Sequence, residues 1–131
     1  GWEDNVHLTG YDLIECCTYR PGDTLFLELG WAVGSVPPQQ PWMVFTHLLA
    51  PDGHLVAGDD NEPGRGSYPT TRWQPGDMLV DEYQLQIPAD APPGEYTLEI
   101  GLYDWRAGNR LPVIGHDGDA VVLAAITVVA P

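Results

Sequence analysis

Two tryptophans lie in polar segments where their rings could meet a ligand. Trp73 occurs in "TTRWQPGD" and Trp105 in "YDWRAGNR", each beside arginine and acidic or amide residues. An exposed aromatic ring can stack on the apolar face of a sugar, while neighbouring polar groups bond its hydroxyls. The candidate carbohydrate-binding residues are therefore Trp73, Tyr103, Trp105, Arg72, Asp104, Arg106 and Asn109. The alternative is that each tryptophan covers one end of the core and the arginines pair with surface acids.

Two acidic stretches could hold a calcium ion. "GDDNEPG" (58–64) and "HDGDA" (116–120) place carboxylates on turns, and hard cations prefer such oxygen ligands. The candidate ligands are Asp59, Asp60, Glu62, Asp117 and Asp119. Neither stretch matches a twelve-residue EF-hand loop, and Asp and Asn are also ordinary turn residues. Apart from calcium, no cofactor is expected.

The sequence does not predict an enzyme. It contains no GxSxG motif and no CxxC or HxxxH pair, which argues against a serine hydrolase of that type and against a zinc site. Among nineteen acidic residues, pairs of carboxylates arise too easily to indicate a glycosidase. His47, in the middle of an apolar run, is interpreted as a core histidine with satisfied hydrogen bonds.

Composition and charge limit the partners. The 131 residues fit a single domain, 1–131. Nineteen acids against five arginines and no lysine give a net charge of −14, which disfavours nucleic acid and anionic membranes as partners. No window approaches the ~20 apolar residues of a membrane helix, so direct membrane insertion is not expected. Sugars and divalent cations remain suitable partners.

Patterning predicts an all-β fold. Thirteen prolines and fifteen glycines interrupt the chain, and no segment between them keeps a helical period. In "TLFLELGWAV" (24–33) apolar residues alternate with others, which is typical of a half-buried strand with Trp31 in the core. "WMVFTHLLA" (42–50) is apolar on both faces and is expected inside a sheet. Further strands are predicted in "VHLTGYDLIECC", "HLVAG", "LVDEYQLQI", "EYTLEIGLYD", "RLPVI" and "DAVVLAAITVV".

About eight short strands without substantial helix must bury their apolar faces against one another. We therefore predict a two-sheet antiparallel β-sandwich of immunoglobulin-like or jelly-roll-like type, with a closed barrel as the alternative. Two long loops, 34–41 and 58–77, are expected to be functional or pinned to the fold. The cysteines, Cys16 and Cys17, are adjacent, and neighbours in an extended strand point to opposite faces, so no ordinary disulfide is expected.

The hairpin between the predicted strands at 95–104 and 110–114 has an explanation without function. Asp104 and Asn109 suit a turn, and Gly108 can supply a positive φ. A tight turn does not call for a tryptophan, however. The position of the Trp105 ring, on the core or in water, therefore decides whether this turn is only a bend.

Several motifs in succession resemble one family. They are "LTGYDL", "RPGDTLFLELGW", "VFTHLLAPDGHLVAGDD", "YPTTRWQPGDMLVDEYQLQIPADAPPGEYTLEIGLYD" and "NRLPV". The chain resembles the C-terminal extracytoplasmic domain of bacterial, Chloroflexi-type polytopic membrane proteins that are similar to mannosyltransferase-type, lipid-linked-sugar glycosyltransferases. The resemblance implies a β-sandwich accessory domain outside the membrane, at the cell surface, with a parent membrane protein as partner, and it does not imply catalysis. A glycan partner is inferred from the neighbours of this domain and from the aromatic loops. The resemblance carries over no catalytic residue.

Two functions are therefore expected. The first is a glycan-binding accessory module associated with a membrane glycosyltransferase or a cell-surface protein. The second is a structural module of a bacterial surface layer or filament that self-associates through strand edges or loops. The charge of −14 opposes self-association unless cations screen it.

Overall fold

The fold is all-β. A computed structural model describes residues 2, 6–14, 17–38, 40–63, 68–111 and 118–130. Its strands are β1 (Val6–Leu13), β2 (Thr18–Tyr19), β3 (Thr24–Val33), β4 (Met43–Leu49), β5 (Leu55–Gly58), β6 (Met78–Gln86), β7 (Gly94–Tyr103) and β8 (Ala120–Val128). One turn of 3-10 helix, Thr70–Arg72, precedes β6. The prediction of about eight strands without substantial helix is confirmed, and the predicted strand "RLPVI" lies mostly outside the described residues.

The strands form two sheets, in the orders β1-β3-β6 and β2-β8-β7-β4-β5. As predicted, β4 lies inside its sheet, between β7 and β5. All neighbouring strands are antiparallel except β2, which pairs with β8 in parallel. The expectation of antiparallel pairing is wrong for β2. After β1 the chain leaves the first sheet, and the two residues of β2 then pair with β8 of the second sheet in the same direction.

The core lies between the sheets and follows the predicted alternation. Along β3 the inward residues are buried, and Trp31 is fully buried. Along β7 the same alternation buries Tyr96, Leu98, Ile100 and Leu102. Each fully buried leucine or isoleucine among them stabilises the fold by about 1.5–3 kcal/mol relative to leaving the side chain exposed.

Single side chains connect the two sheets at both margins. At the β6 margin, the Asp59 carboxylate accepts a hydrogen bond from the Gln84 N–H at 2.9 Å. At the β1 margin, the Tyr11 hydroxyl donates to the Leu123 carbonyl of β8 at 2.7 Å. The architecture is therefore a two-sheet sandwich or half-barrel whose margins approach each other without a continuous ladder.

The structure differs from the expectation that the adjacent cysteines form no ordinary disulfide. Cys17 is disulfide-bonded, and it lies in a turn between β1 and β2. The argument that adjacent residues point to opposite faces holds for an extended strand and does not apply in a turn. Cys16 lies outside the described residues.

The long loop 58–77 is pinned to the loop 34–41. Buried Thr70 accepts a hydrogen bond from the Trp42 N–H at 2.9 Å and donates to the Gln40 carbonyl at 2.6 Å. Further along, the Tyr68 hydroxyl donates to Asp77, and this bond, with help from the Gln74 N–H, holds the pKa of Asp77 below its usual value. The described parts of the loop are thus a fixed element of the fold.

Thr70→Val will lower the free energy of unfolding by about 1–3 kcal/mol, because it removes the hydroxyl and leaves buried backbone groups unpaired. Thr71 is exposed in the same helical turn, so Thr71→Val is the matched control, with an expected change within about 0.5 kcal/mol. Urea unfolding followed by circular dichroism measures both. Equal effects of the two substitutions would show that Thr70 does not pin the loops.

Within the described residues, no helix has the length and apolar character needed to cross a membrane.

Candidate ligand-binding site

Trp73 does not present a ring to solvent. Its side chain is 2% exposed, and its indole N–H donates to the Tyr68 carbonyl at 3.0 Å. Trp73 follows the 3-10 helix, whose last residue, Arg72, is exposed. Trp73 therefore covers the core, which is the alternative interpretation of the sequence. Its ring is enclosed and cannot stack on a ligand.

Trp105 is placed differently, in the turn after β7. Its side chain is 51% exposed, and the Arg106 guanidinium carbon lies 5.2 Å from its ring centroid. A cation over an indole face is an attractive contact that leaves the other face accessible. Trp105 is therefore an aromatic ring held in water beside a cation.

The turn that carries Trp105 is built by its polar residues. The Asp104 carboxylate accepts from the Arg106 N–H at 2.9 Å, and the Asp104 carbonyl accepts from the Gly108 N–H at 2.7 Å. The Asp104 N–H donates to the Asn109 carbonyl at 2.9 Å. Gly108 has a φ of 79°, as the sequence suggested. Asp104 and Asn109 thus shape the turn, and the bond from the Arg106 N–H accounts for a carboxylate at position 104.

Beside this turn, the outer face of the five-stranded sheet carries an aromatic cluster. Phe45 of β4 pairs with Gly101 of β7, and its ring occupies the space that a side chain at Gly101 would need, since a Cβ there would lie 2.3 Å from the ring. Arg110 covers this ring, with its guanidinium carbon 4.2 Å from the centroid, and bonds Asp119 at 3.2 Å. Phe45 is consequently buried although it faces away from the core.

Three polar groups surround that ring. His47 Nε2 lies 3.3 Å from one oxygen of Asp60, and the Tyr103 hydroxyl donates to the other at 3.3 Å. Burial raises the pKa of Tyr103, and the neighbouring Asp60 charge raises it further. The prediction of a core position for His47 is wrong, because alternation along β4 directs it to the outer face, where it packs 4.7 Å from the Phe45 ring.

Together these residues form a depression of about 190 Å³ on the sheet surface. Its lining consists of Phe45, His47, Asp60, Tyr103, Gly108 and Arg110. Hydrogen-bond donors and acceptors line this depression, while the Phe45 ring beneath them is buried, and such a lining suits a small polar ligand. The hairpin that supplies Tyr103, Gly108 and Arg110 also carries Trp105, so the exposed ring and the depression belong to one structural unit.

A larger depression, of about 290 Å³, lies at the opposite end of β4, near the turn to β5. It contains none of the predicted site residues. Its aromatic residue, Tyr96, is buried and donates its hydroxyl to the Pro92 carbonyl at 2.7 Å. The depression beside the Trp105 turn is therefore the better candidate site.

The calcium candidates do not converge in the described part of the chain. Asp59 bonds Thr46, Asn61 and Gln84; Asp60 faces His47 and Tyr103; and Asp119 pairs with Arg110. Glu62 is partly buried, and Asp117 lies outside the described residues. Among the described residues, no three acidic, histidine or cysteine side chains are grouped so as to hold a metal.

The sequence did not point to Phe45, His47 or Arg110 as site residues. The available signal was Gly101, a glycine inside an otherwise alternating strand, which often marks a close approach by another group. Identifying that group requires the register that sets Phe45 opposite Gly101.

Comparisons with known proteins give distant likenesses. No family model matches the chain. It is 32% identical over 99 residues to an alpha-2-macroglobulin of Xylella fastidiosa strain 9a5c, and 30% identical over 99 residues to that of strain Temecula1. Each alignment covers 76% of this chain but 5% of the relative, so the chain matches a small part of those proteins.

Solved structures share the fold at low identity. The C-terminal domain of wzt has a TM-score of 0.60 at 11% identity, covering 98% of this chain and 76% of that one. Alkylpurine DNA glycosylase AlkC of Pseudomonas fluorescens, bound to DNA containing an abasic site analog, gives 0.57 at 13%, covering 95% and 30%. The sporulation control protein Spo0M of Bacillus subtilis gives 0.53 at 14%, covering 95% and 49%. At such identities the likeness concerns the fold alone.

Proposed function

We propose that this chain is a non-catalytic glycan-binding module of an extracytoplasmic or cell-surface protein. The observation that carries the proposal is the exposed Trp105 ring in the hairpin that also lines the polar depression. A pyranose needs one aromatic surface for its C–H face and several directional polar groups for its hydroxyls. The Trp105 turn and the adjoining depression offer both.

The polar groups of the depression are matched to neutral hydroxyls. Asp60 accepts hydrogen bonds, Arg110 donates them, and Tyr103 and His47 can do either. Each already contacts a neighbouring side chain: His47 and Tyr103 contact Asp60, and Arg110 pairs with Asp119.

The proposed setting is an accessory domain of a longer protein, either a membrane glycosyltransferase or another cell-surface protein. Its support is the motif resemblance, together with an alignment that covers 5% of a much longer alpha-2-macroglobulin. The finer architecture that we propose is immunoglobulin-like. The bond from the Tyr96 hydroxyl to the Pro92 carbonyl supports it, because such tyrosine corners recur in these sandwiches.

The test is binding to an array of bacterial polysaccharides, followed by titration of the best binder with the purified chain. Trp105→Ala should weaken that binding about tenfold, equivalent to about 1.4 kcal/mol. Leu55→Ala removes an equally exposed apolar side chain from β5 and is the matched control, expected to bind normally. Absence of binding to every polysaccharide, or unchanged affinity in Trp105→Ala, would refute the proposal.

The second candidate is an assembly module that pairs through strand edges or loops. The structure favours it less, because pairing through the edge of β6 needs free backbone groups there. The Gln84 N–H on that edge already donates to the Asp59 carboxylate. Sedimentation with and without calcium tests it, and a monomer in both conditions would contradict assembly.

A further inference from the structure

The outer face of the three-stranded sheet exposes large apolar side chains. Phe26 of β3 is 43% exposed, and Met78 and Val80 of β6 are 75% and 74% exposed. The register places these residues on one face, since Phe26 pairs with Gln84 and Val80 pairs with Gly30. We call this surface, formed by the outward residues of β1, β3 and β6, the β3 outer face.

A row of carboxylates crosses the β3 outer face. Asp12 of β1 pairs with Glu28 of β3, and Glu28 pairs with Glu82 of β6. Directly opposite residues on neighbouring strands have Cβ atoms about 4.5–5.5 Å apart, and like charges there destabilise a sheet. Within the described residues, no cationic side chain or hydrogen-bond donor contacts these three carboxylates.

Shallow depressions lie on both sides of this row and share Glu28. One, of about 80 Å³, is lined by Ile14 and Phe26 among others. The other, of about 190 Å³, includes Gly10 and Gly30, which are paired across the strands, and Val80. The face therefore presents apolar recesses on either side of a line of negative charge.

We propose that the β3 outer face docks a basic amphipathic segment of a partner protein. Its arginines or lysines lie along the carboxylate row, and its apolar side chains enter the flanking recesses. The spacing of the row, about 5 Å, is close to that between residues three or four positions apart on a helix. This docking surface is separate from the Trp105 depression, which lies on the other sheet.

Charge favours a basic partner over a second copy of the chain, a nucleic acid or an anionic membrane. A second copy of the chain would bring one carboxylate row against another, between molecules that each carry −14. Phosphate backbones and anionic lipids meet the same repulsion. A cationic partner relieves the repulsion within the row, which gives a reason for the fold to tolerate it.

The experiment uses a helical peptide with arginine at every fourth position and leucines flanking each arginine. A second peptide has glutamate in place of arginine. Calorimetry at 150 mM salt should show binding of the arginine peptide alone. Asp12→Asn, Glu28→Gln and Glu82→Gln combined should weaken it at least about tenfold through lost charge complementarity.

The matched control combines Asp90→Asn, Glu95→Gln and Glu99→Gln, which removes the same charge away from the β3 outer face. It should change affinity by no more than about twofold, as expected of long-range electrostatics at this salt. Val80→Ser should weaken binding without changing net charge. Equal losses in the two triple variants, no binding of the arginine peptide, or dimerisation through this face would overturn the proposal.

Unfolding measurements on the same variants test whether weaker binding reflects a loss of stability instead of a loss of charge. The Asp12, Glu28 and Glu82 triple variant should be at least as stable as the native chain, since it removes repulsion between opposite strands. A destabilised variant would show that the row supports the fold and is not kept for a partner.

Discussion

Trp73→Ala will lower the free energy of unfolding by about 3–5 kcal/mol, the usual cost of truncating a buried tryptophan. Trp105→Ala will change it by no more than about 0.5 kcal/mol, as expected for an exposed position. The two residues occupy similar sequence contexts, but Trp73 is enclosed and bonded to the Tyr68 carbonyl, while half of Trp105 is in water. The pair therefore separates a core role from a surface role.

Urea unfolding followed by far-ultraviolet circular dichroism suits this comparison, because it does not depend on either tryptophan as a probe. The double variant should show the sum of the two effects, since the residues share no contact. A cost for Trp105→Ala close to that for Trp73→Ala would place the Trp105 ring against the core and remove the basis of the glycan proposal.

Gly101→Ala will destabilise the fold by about 3 kcal/mol, at the upper end of the range for overpacking. A Cβ at this position would lie 2.3 Å from the Phe45 ring and 2.7 Å from the Asp119 carbonyl oxygen. A side chain can turn aside, but the Asp119 carbonyl, directly before β8, cannot move without displacing the start of that strand. Phe45 should shift, and the Arg110 guanidinium should lose its position over the ring.

Gly10→Ala is the control, because it also adds a methyl group within a strand but meets nothing within 4 Å. In a Phe45→Ala background, the cost of Gly101→Ala should fall but not vanish, since the Asp119 carbonyl remains. If the cost is unchanged in that background, the Phe45 ring does not lie over Gly101.

Local patterning sufficed for much of the fold. The bounds of β3 match the prediction, because an apolar residue occupies every second position from Leu25 to Val33. β2 was not predicted, since two residues are too short for any period. Its parallel pairing with β8 depends on where the chain crosses between sheets, and no local pattern encodes that.

The candidate site was predictable only in part. The composition of the turn identified Trp105, Arg106 and their neighbours, because glycine and asparagine around a tryptophan are visible in the sequence. The same reasoning selected Trp73 wrongly, since a polar loop that folds back over the core looks like an exposed one. The position of Phe45 over Gly101 follows from pairing between distant strands, which becomes visible only when the register is known.

Hydrogen bonds along the loop 58–77 hold part of the proposed site in place before a ligand binds. Its first residues are joined to β4, where Val44 and Asn61 exchange two backbone hydrogen bonds, and Thr70 fastens its later part. Asp60 is thereby in place before any ligand arrives. Ordering one mobile side chain on binding costs about 0.5–1.5 kcal/mol, and a preorganised site avoids that loss. The free and ligand-bound forms of the site should therefore have the same backbone, with affinity set by contacts and not by closure of a loop.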